Sequence, residues 1–193
     1  MTKSNKVKRN EEIFRVISRM FAEKGYLETT MRDIARELNI KPPSLYNYFK
    51  CKEEALFILV KESMENALKK MENICNSNIS AEEKLYRIIE FHTYAYSIKK
   101  EGPTLLLNHV DKLSEEHRHI LIEEQRRLVN MATEVLEDLI KEGKIKNIPP
   151  KIALFAFFGM TNYSLKWYDS KGSVKPEDLT RFFSEIFTKG IMI

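Results

Sequence analysis

Thr29-Thr30-Met31-Arg32-Asp33-Ile34-Ala35-Arg36-Glu37-Leu38-Asn39-Ile40-Lys41-Pro42-Pro43-Ser44-Leu45-Tyr46-Asn47-Tyr48-Phe49-Lys50 reads as two short helices joined by a tight turn. Thr30, with Asp33 three residues on, spells a capping box that starts the first helix. Met31, Ile34, Ala35 and Leu38 form its apolar stripe. Asn39 sits where the chain must reverse, and asparagine tolerates the left-handed backbone better than most residues. Pro42 and Pro43 open the second helix, where backbone N–H groups lack intrahelical partners in any case. Leu45 and Phe49, four apart, anchor one face. Ser44, Tyr46, Asn47 and Tyr48 occupy the rest, polar and aromatic with no evident core to enter. This is how a chain presents side chains to the major groove of duplex DNA.

Outward from that segment the pattern stays helical. Ile13, Val16, Ile17, Met20 and Phe21 mark an amphipathic helix over residues 10–24, closed by Gly25. Residues 52 to about 77 carry a stripe of Leu56, Leu59, Val60, Met64, Leu68 and Met71. Ser80 and Glu83 make a second capping box, opening a helix to about residue 100, with Gly102-Pro103 expected to break it. A short helix is expected over about 104–112. A long one from Ser114 to Gly143 follows, with Leu128, Ala132, Val135, Leu139 and Ile140 on one side. Pro149-Pro150 opens a helix to about residue 168, and Pro176 opens the last, to about 189. The expectation is an all-α chain of nine helices, with residues 1–52 as a helix-turn-helix unit and 53–193 as a helical body.

Composition fits that reading. Six Gly and six Pro in 193 residues leave little room for the turns of an all-β fold. The net charge of +4 is unevenly placed: residues 1–52 carry +6 and the remainder −2. Lys3, Lys6, Lys8 and Arg9 supply much of the excess. A basic unit on a near-neutral body suits a polyanion-binding head. Cys51 and Cys75 form neither a disulfide framework nor a zinc motif. No apolar signal core opens the chain, and the longest apolar run, 152–160, is far short of a membrane span, so the expected location is the cytoplasm and no membrane partner is expected. The histidines at 92, 109, 117 and 119 lack metal-ligand spacing. No phosphate-binding glycine loop or nucleophile motif is present, so neither catalysis nor a cofactor is expected.

Residues 152–158 are apolar all the way round, the mark of a helix buried on every side. The final helix carries a broad aromatic stripe. A chain this size cannot easily enclose both, so Phe155, Phe157, Phe182, Phe183 and Ile186 are expected at an interface between two copies.

The order of elements, and the wording Phe21-Ala22-Glu23-Lys24-Gly25-Tyr26, Thr29-Thr30-Met31-Arg32-Asp33-Ile34-Ala35 and Ser44-Leu45-Tyr46-Asn47-Tyr48-Phe49-Lys50-Cys51-Lys52-Glu53-Glu54-Ala55-Leu56, resemble the TetR family of bacterial transcription regulators. The resemblance implies a homodimer that binds double-stranded operator DNA through the N-terminal unit and a small effector through the body. Asn39 stands where the family usually has Gly, and Cys51 where it has Asn, Ser or Gly. Carried over by position, Thr30 holds a phosphate. Lys41, Pro42, Pro43 and Ser44 face base edges. Tyr46, Asn47 and Tyr48 reach backbone and groove, and Lys52 holds a phosphate. Edge contacts alone read sequence, while phosphate contacts fix register.

Residues 159–172 and 176–179 resemble members that answer to acyl-CoA thioesters. That likeness implies a small hydrophobic effector, of acyl-CoA type, in an apolar tunnel lined by Phe91, Tyr94, Leu107, Val110, Met131, Phe158 and Asn162. The expected function is a repressor released from its operator by that effector, which tilts the helix of residues 52–77. The rivals are a helical small-molecule-binding protein or enzyme, and an adaptor that has lost DNA binding.

Overall fold

The structure, a computed structural model, describes residues 3–192, with side chains from residue 12 onward. The side chains of Lys3, Lys6, Lys8 and Arg9 therefore lie outside the described residues. Among the described residues there are nine α-helices: α1 (Lys3–Lys24), α2 (Met31–Glu37), α3 (Pro42–Leu45), α4 (Lys52–Cys75), α5 (Ala81–Ser97), α6 (Glu101–His109), α7 (Glu115–Lys141), α8 (Pro150–Trp167) and α9 (Pro176–Ile191). A 3₁₀ turn, Val110–Lys112, follows α6.

Two boundaries differ from expectation for identifiable reasons. Helix α1 starts well before the apolar pattern does. Gly102-Pro103 does not break a helix but lies in the first turn of α6, where proline needs no N–H partner. Gly102 has its own reason to be there: a Cβ on it would come within 2.1 Å of Ser63 Oγ and 2.8 Å of Ser63 Cβ on α4. Only a residue without a side chain lets α6 approach so closely.

The chain packs as two compact units. One comprises Met1–Met64 and Glu101–Leu121, the other Glu65–Lys100 and Ile122–Ile193. Helices α4 and α7 each begin in the first unit and end in the second.

In the first unit Ile13, Ile17 and Phe21 of α1 are fully buried, together with Ile34 of α2, Leu45 of α3, Leu56 of α4 and Leu105 of α6. Each such side chain removed from water contributes about 1.5–3 kcal/mol. α6 packs on α1, and α2 on α3.

In the second unit a single apolar cluster joins Met71 and Ile74 of α4, Leu85, Ile88 and Ile89 of α5, and Leu136 and Leu139 of α7. Leu154 and Phe157 of α8 and Phe187 and Ile191 of α9 complete it. A smaller one gathers Tyr168, Leu179 and Phe183, with Ile98 against it.

Within one subunit α8 is buried on one face alone. Ala153, Leu154, Phe157, Thr161 and Ser164 are buried, but Ile152 and Phe155 are more than half exposed. The helix has a core face and a second apolar face turned to solvent. An even spread of apolar residues around a helix cannot distinguish two contact faces from one enclosing core.

Candidate nucleic-acid interface

The reading segment is held at both ends by groups the chain supplies locally. Thr29 is fully buried, and its hydroxyl donates to the carbonyl of Gly25 at 2.8 Å and lies 3.5 Å from that of Met20. This ties the start of α2 to the end of α1. Thr30 then caps α2: Asp33 N donates to Thr30 Oγ1 at 3.1 Å, and Thr30 N donates to Asp33 Oδ2 at 3.1 Å. The Thr30 hydroxyl also donates to Asp33 at 2.6 Å. These bonds from Thr30, with Arg36 alongside, hold the Asp33 carboxyl below its ordinary range.

Asn39 takes φ +51°, the left-handed turn expected of it. Ile40 N donates back to Ala35 O at 2.9 Å and closes the helix end. Lys41 caps α3, whose helical hydrogen bonding stops at Leu45. Tyr46, Asn47 and Tyr48 continue it as a turn, with Tyr48 N donating to Leu45 O at 2.9 Å.

Leu45 and Phe49 are buried at 0% and 2% exposure and fix the segment from beneath. On the other side Lys41, Pro42, Pro43 and Asn47 are exposed, and Tyr46 is 56% exposed. Ser44 and Tyr48 are half-buried. Tyr46 therefore does not pack inward beside Leu45. An exposed tyrosine set on an immobile apolar anchor costs little entropy to hold in place and offers both a ring face and a hydroxyl.

Lys52 behaves differently from the other eight positions. Its ammonium donates to the carbonyls of Tyr26 at 2.8 Å and Thr29 at 3.0 Å, and sits 4.2 Å above the Tyr26 ring. Burial pushes its pKa down from the ordinary lysine value, with Glu28 acting the other way. In this arrangement it braces the link between α1 and α2 from the first turn of α4.

Glu53, beside it, accepts from Ser114 N at 2.9 Å and from the His117 ring at 2.8 Å. Phe57 stacks on the His117 ring at 3.8 Å, 4° from parallel. Burial raises the Glu53 pKa, but the bonds from Ser114 and His117 outweigh it and leave it lowered. Sequence reading missed both Thr29 and this clasp. Thr29 was masked by the capping role of its neighbour. Glu53 and His117 are 64 residues apart, and no local pattern links them.

The candidate effector residues are divided between the two units. Leu107 and Val110 belong to the first unit, and the other five to the second. Leu107 and Tyr94 are exposed, at 43% and 46%. Phe91, Met131 and Phe158 pack against the apolar cluster of the second unit. A cavity of about 290 Å³ in that unit is bordered by Met131 but otherwise by Cys75, Ser80, Lys84, Glu134 and Asp138 among others. It is too polar to be the expected apolar tunnel.

The expected interface residues also divide. Phe157 and Phe183 are core residues of their own subunit, at 1% and 9% exposure, because they point into the two apolar clusters; this corrects their assignment. Phe155, Phe182 and Ile186 remain exposed at 58%, 43% and 60%, with Ile152 at 67%.

Comparison with known proteins gives a consistent result. Residues 13–58 match the family described as bacterial regulatory proteins, tetR family, and residues 78–191 match the tetracyclin repressor-like C-terminal domain. The HTH-type transcriptional repressor KstR2 of Mycolicibacterium smegmatis is 24% identical over 98% of this chain and 94% of its own. The structure of the ketosteroid transcriptional regulator KstR2 of Mycobacterium tuberculosis superposes with a TM-score of 0.89 at 23% identity, covering 96% of this chain and 95% of the other. The structure of AibR in complex with isovaleryl coenzyme A and operator DNA superposes with a TM-score of 0.84 at 19% identity, covering 94% and 97%. At these identities the two superpositions establish the fold.

Proposed function

This chain belongs to the TetR family of bacterial transcription regulators, and from that premise we propose that it is a homodimeric repressor released from its operator by a small hydrophobic effector. The coarser statement, a DNA-binding transcriptional regulator, follows from the family. The single observation that supports operator contact by these residues is the exposed edge of Lys41, Pro42, Pro43, Tyr46 and Asn47, standing on the buried pair Leu45 and Phe49. Residues 1–52 form the reading head and 53–193 the effector and dimerisation body. Lys41 to Ser44 meet base edges, Thr30 and Tyr48 meet phosphates, and Tyr46 and Asn47 lie between. Two prolines leave this edge poor in hydrogen-bond donors, so apolar contact with thymine methyls carries a share of the readout.

Two copies join through the exposed faces of α8 and α9, around Phe155, Phe182 and Ile186. Their recognition turns then lie about one turn of B-DNA (~34–36 Å) apart. The effector is read as an acyl-CoA thioester. That reading is supported by the resemblance of residues 159–172 and by the fold shared with AibR, whose solved complex contains isovaleryl coenzyme A. Effector binding in the body tilts α4, whose first turn carries the Lys52 brace. A coupling of ~1–3 kcal/mol, ~5–150-fold in operator affinity, is the usual scale.

The test is a footprint on the DNA upstream of the protein's own gene, with and without isovaleryl-CoA and octanoyl-CoA. The expected result is two protected half-sites about 10 base pairs apart centre to centre, with protection lost when one of the thioesters is added. Protection that neither thioester changes would remove the acyl-CoA reading. Absence of any protected region would remove the operator reading.

A further inference from the structure

A lysine ammonium has three hydrogens to give. In Lys52 one goes to Tyr26 O at 2.8 Å and one to Thr29 O at 3.0 Å. Leu27 O at 3.5 Å and the face of the Tyr26 ring, 4.2 Å away at its centroid, are in reach of the third. With its donors engaged in this way, the side chain holds none in reserve for a phosphate.

Its place in the helix favours that inward turn. Lys52 is the first residue of α4, where the helix dipole is positive and a cation is disfavoured. Glu53 and Glu54, which follow, are the acids such an end prefers. The carbonyls of the turn after α1 give the ammonium the partial negative charge that the start of α4 cannot. Burial pushes its pKa down and Glu28 pushes it back, so the charge is sheltered from water and answered by an acid of its own chain. Both effects reduce the field it presents to an outside anion.

The bonds fall at a mechanically useful point. The helical ladder of α2 begins with Thr30 O, which accepts from Ile34 N at 3.1 Å. The carbonyl of the fully buried Thr29 stands one residue before that ladder and takes its donor from α4. The Tyr26 ring meets Phe21 of α1 edge-on at 5.1 Å and lies 5.8 Å from the His109 ring of α6. One side chain thus ties the start of α4 to the start of α2, within the first unit.

We propose that Lys52 is a positioning residue for operator recognition: it stays on the carbonyls of residues 26–29 when DNA is bound, sets α2 and α3 relative to α4, and holds no phosphate. This departs from the role that the family resemblance carries to position 52. It rests on the operator-binding reading above and assigns this residue's part in it.

The two roles leave different marks. A phosphate ligand adds to the binding of every DNA sequence and to its salt dependence. A brace acts on register: base-edge contacts fail when the reading segment shifts, while the attraction to phosphates common to all sequences persists.

The experiment is fluorescence anisotropy of the full-length parent, Lys52→Met and Lys52→Arg on two duplexes across a range of salt. One duplex comes from upstream of the protein's own gene, and the other is a shuffled sequence of the same length and composition. Methionine keeps most of the stem and removes the donors. Arginine keeps the charge, but its planar fork does not fit a site that holds a compact ammonium. Both variants should bind the upstream duplex at least tenfold more weakly than the parent and the shuffled one within about twofold of it. On the shuffled duplex they should also keep the parent's log–log salt slope.

An equal loss on both duplexes in Lys52→Met, with a slope shallower by about 0.9 per subunit, would reveal a phosphate contact and overturn the proposal. So would parent-like affinity of Lys52→Arg for the upstream duplex, since charge alone would then suffice. Should circular dichroism find Lys52→Met unfolded, the arginine variant decides by the same criteria. A parent that prefers neither duplex overturns the operator reading and this inference with it. A parent that does prefer its upstream DNA, with variants that lose both duplexes equally, overturns this inference alone.

Discussion

At the scale of single residues, Thr29 and His92 do most to fix what surrounds them. Thr29 is one residue from the cap that the sequence made obvious, and its value lies in a bond to Gly25 O that only folding creates. Thr29→Val keeps the volume and removes the donor. It should lower stability by about 1–2 kcal/mol in urea denaturation, since the Gly25 carbonyl is left partly unsatisfied.

His92 makes stability depend on pH in a definite direction. In the unfolded chain it takes a proton near pH 6.5, but in the folded state only near 3. Its contribution is therefore complete above pH 6.5 and declines as pH falls toward 3. Between pH 6.5 and 5 the parent should lose about 2 kcal/mol more than His92→Gln. Equal losses in the two proteins would remove this account of the acid response. Neither role was legible beforehand. A threonine beside a cap and a histidine on a helix carry no signal of what lies across from them.

At the scale of elements the sequence was most legible where the pattern is periodic and punctuated. The capping box at Thr30, the left-handed Asn39 and the proline-opened α3 all appear where the residues require them. The failures share a cause. Gly102-Pro103 reads as a break in isolation, and only the contact with Ser63 shows that it instead begins α6. The apolar run of α8 announces burial without saying against which partner.

The clasp from Glu53 to Ser114 and His117 joins the first turn of α4 to the first turn of α7, beside the Lys52 brace on the Tyr26 and Thr29 carbonyls. His117→Ala removes both the hydrogen bond and the stack on Phe57. It should weaken operator binding severalfold in fluorescence anisotropy while leaving the helical circular dichroism signal intact. His117→Gln, which keeps a donor, should recover part of the loss.

At the scale of the whole molecule, the proposed function depends on two copies and on one exposed edge. The exposed stripe of α8 places Ile152, Phe155, Ala156 and Gly159 on one face, and a side chain added at Gly159 meets nothing within 4 Å in its own subunit. Gly159→Arg should therefore leave the subunit folded yet yield monomers in sedimentation velocity, with operator affinity falling at least tenfold. A dimer that tolerates the arginine would place the interface elsewhere.

The exposure of Lys41, Pro42, Pro43, Tyr46 and Asn47 was legible because it follows from the local pattern around Leu45 and Phe49. Which side chains of the body face one another was not, because helices distant in sequence decide it.

The most direct test of the central claim is fluorescence anisotropy of the parent and Tyr46→Ala on duplex DNA from the protein's own upstream region, across a range of salt. The account predicts that the parent's affinity falls steeply with salt, with a log–log slope of about −0.9 per phosphate neutralised. It also predicts that Tyr46→Ala, folded and dimeric, binds at least tenfold more weakly. Equal affinity of the two proteins, or a flat response to salt, would contradict it.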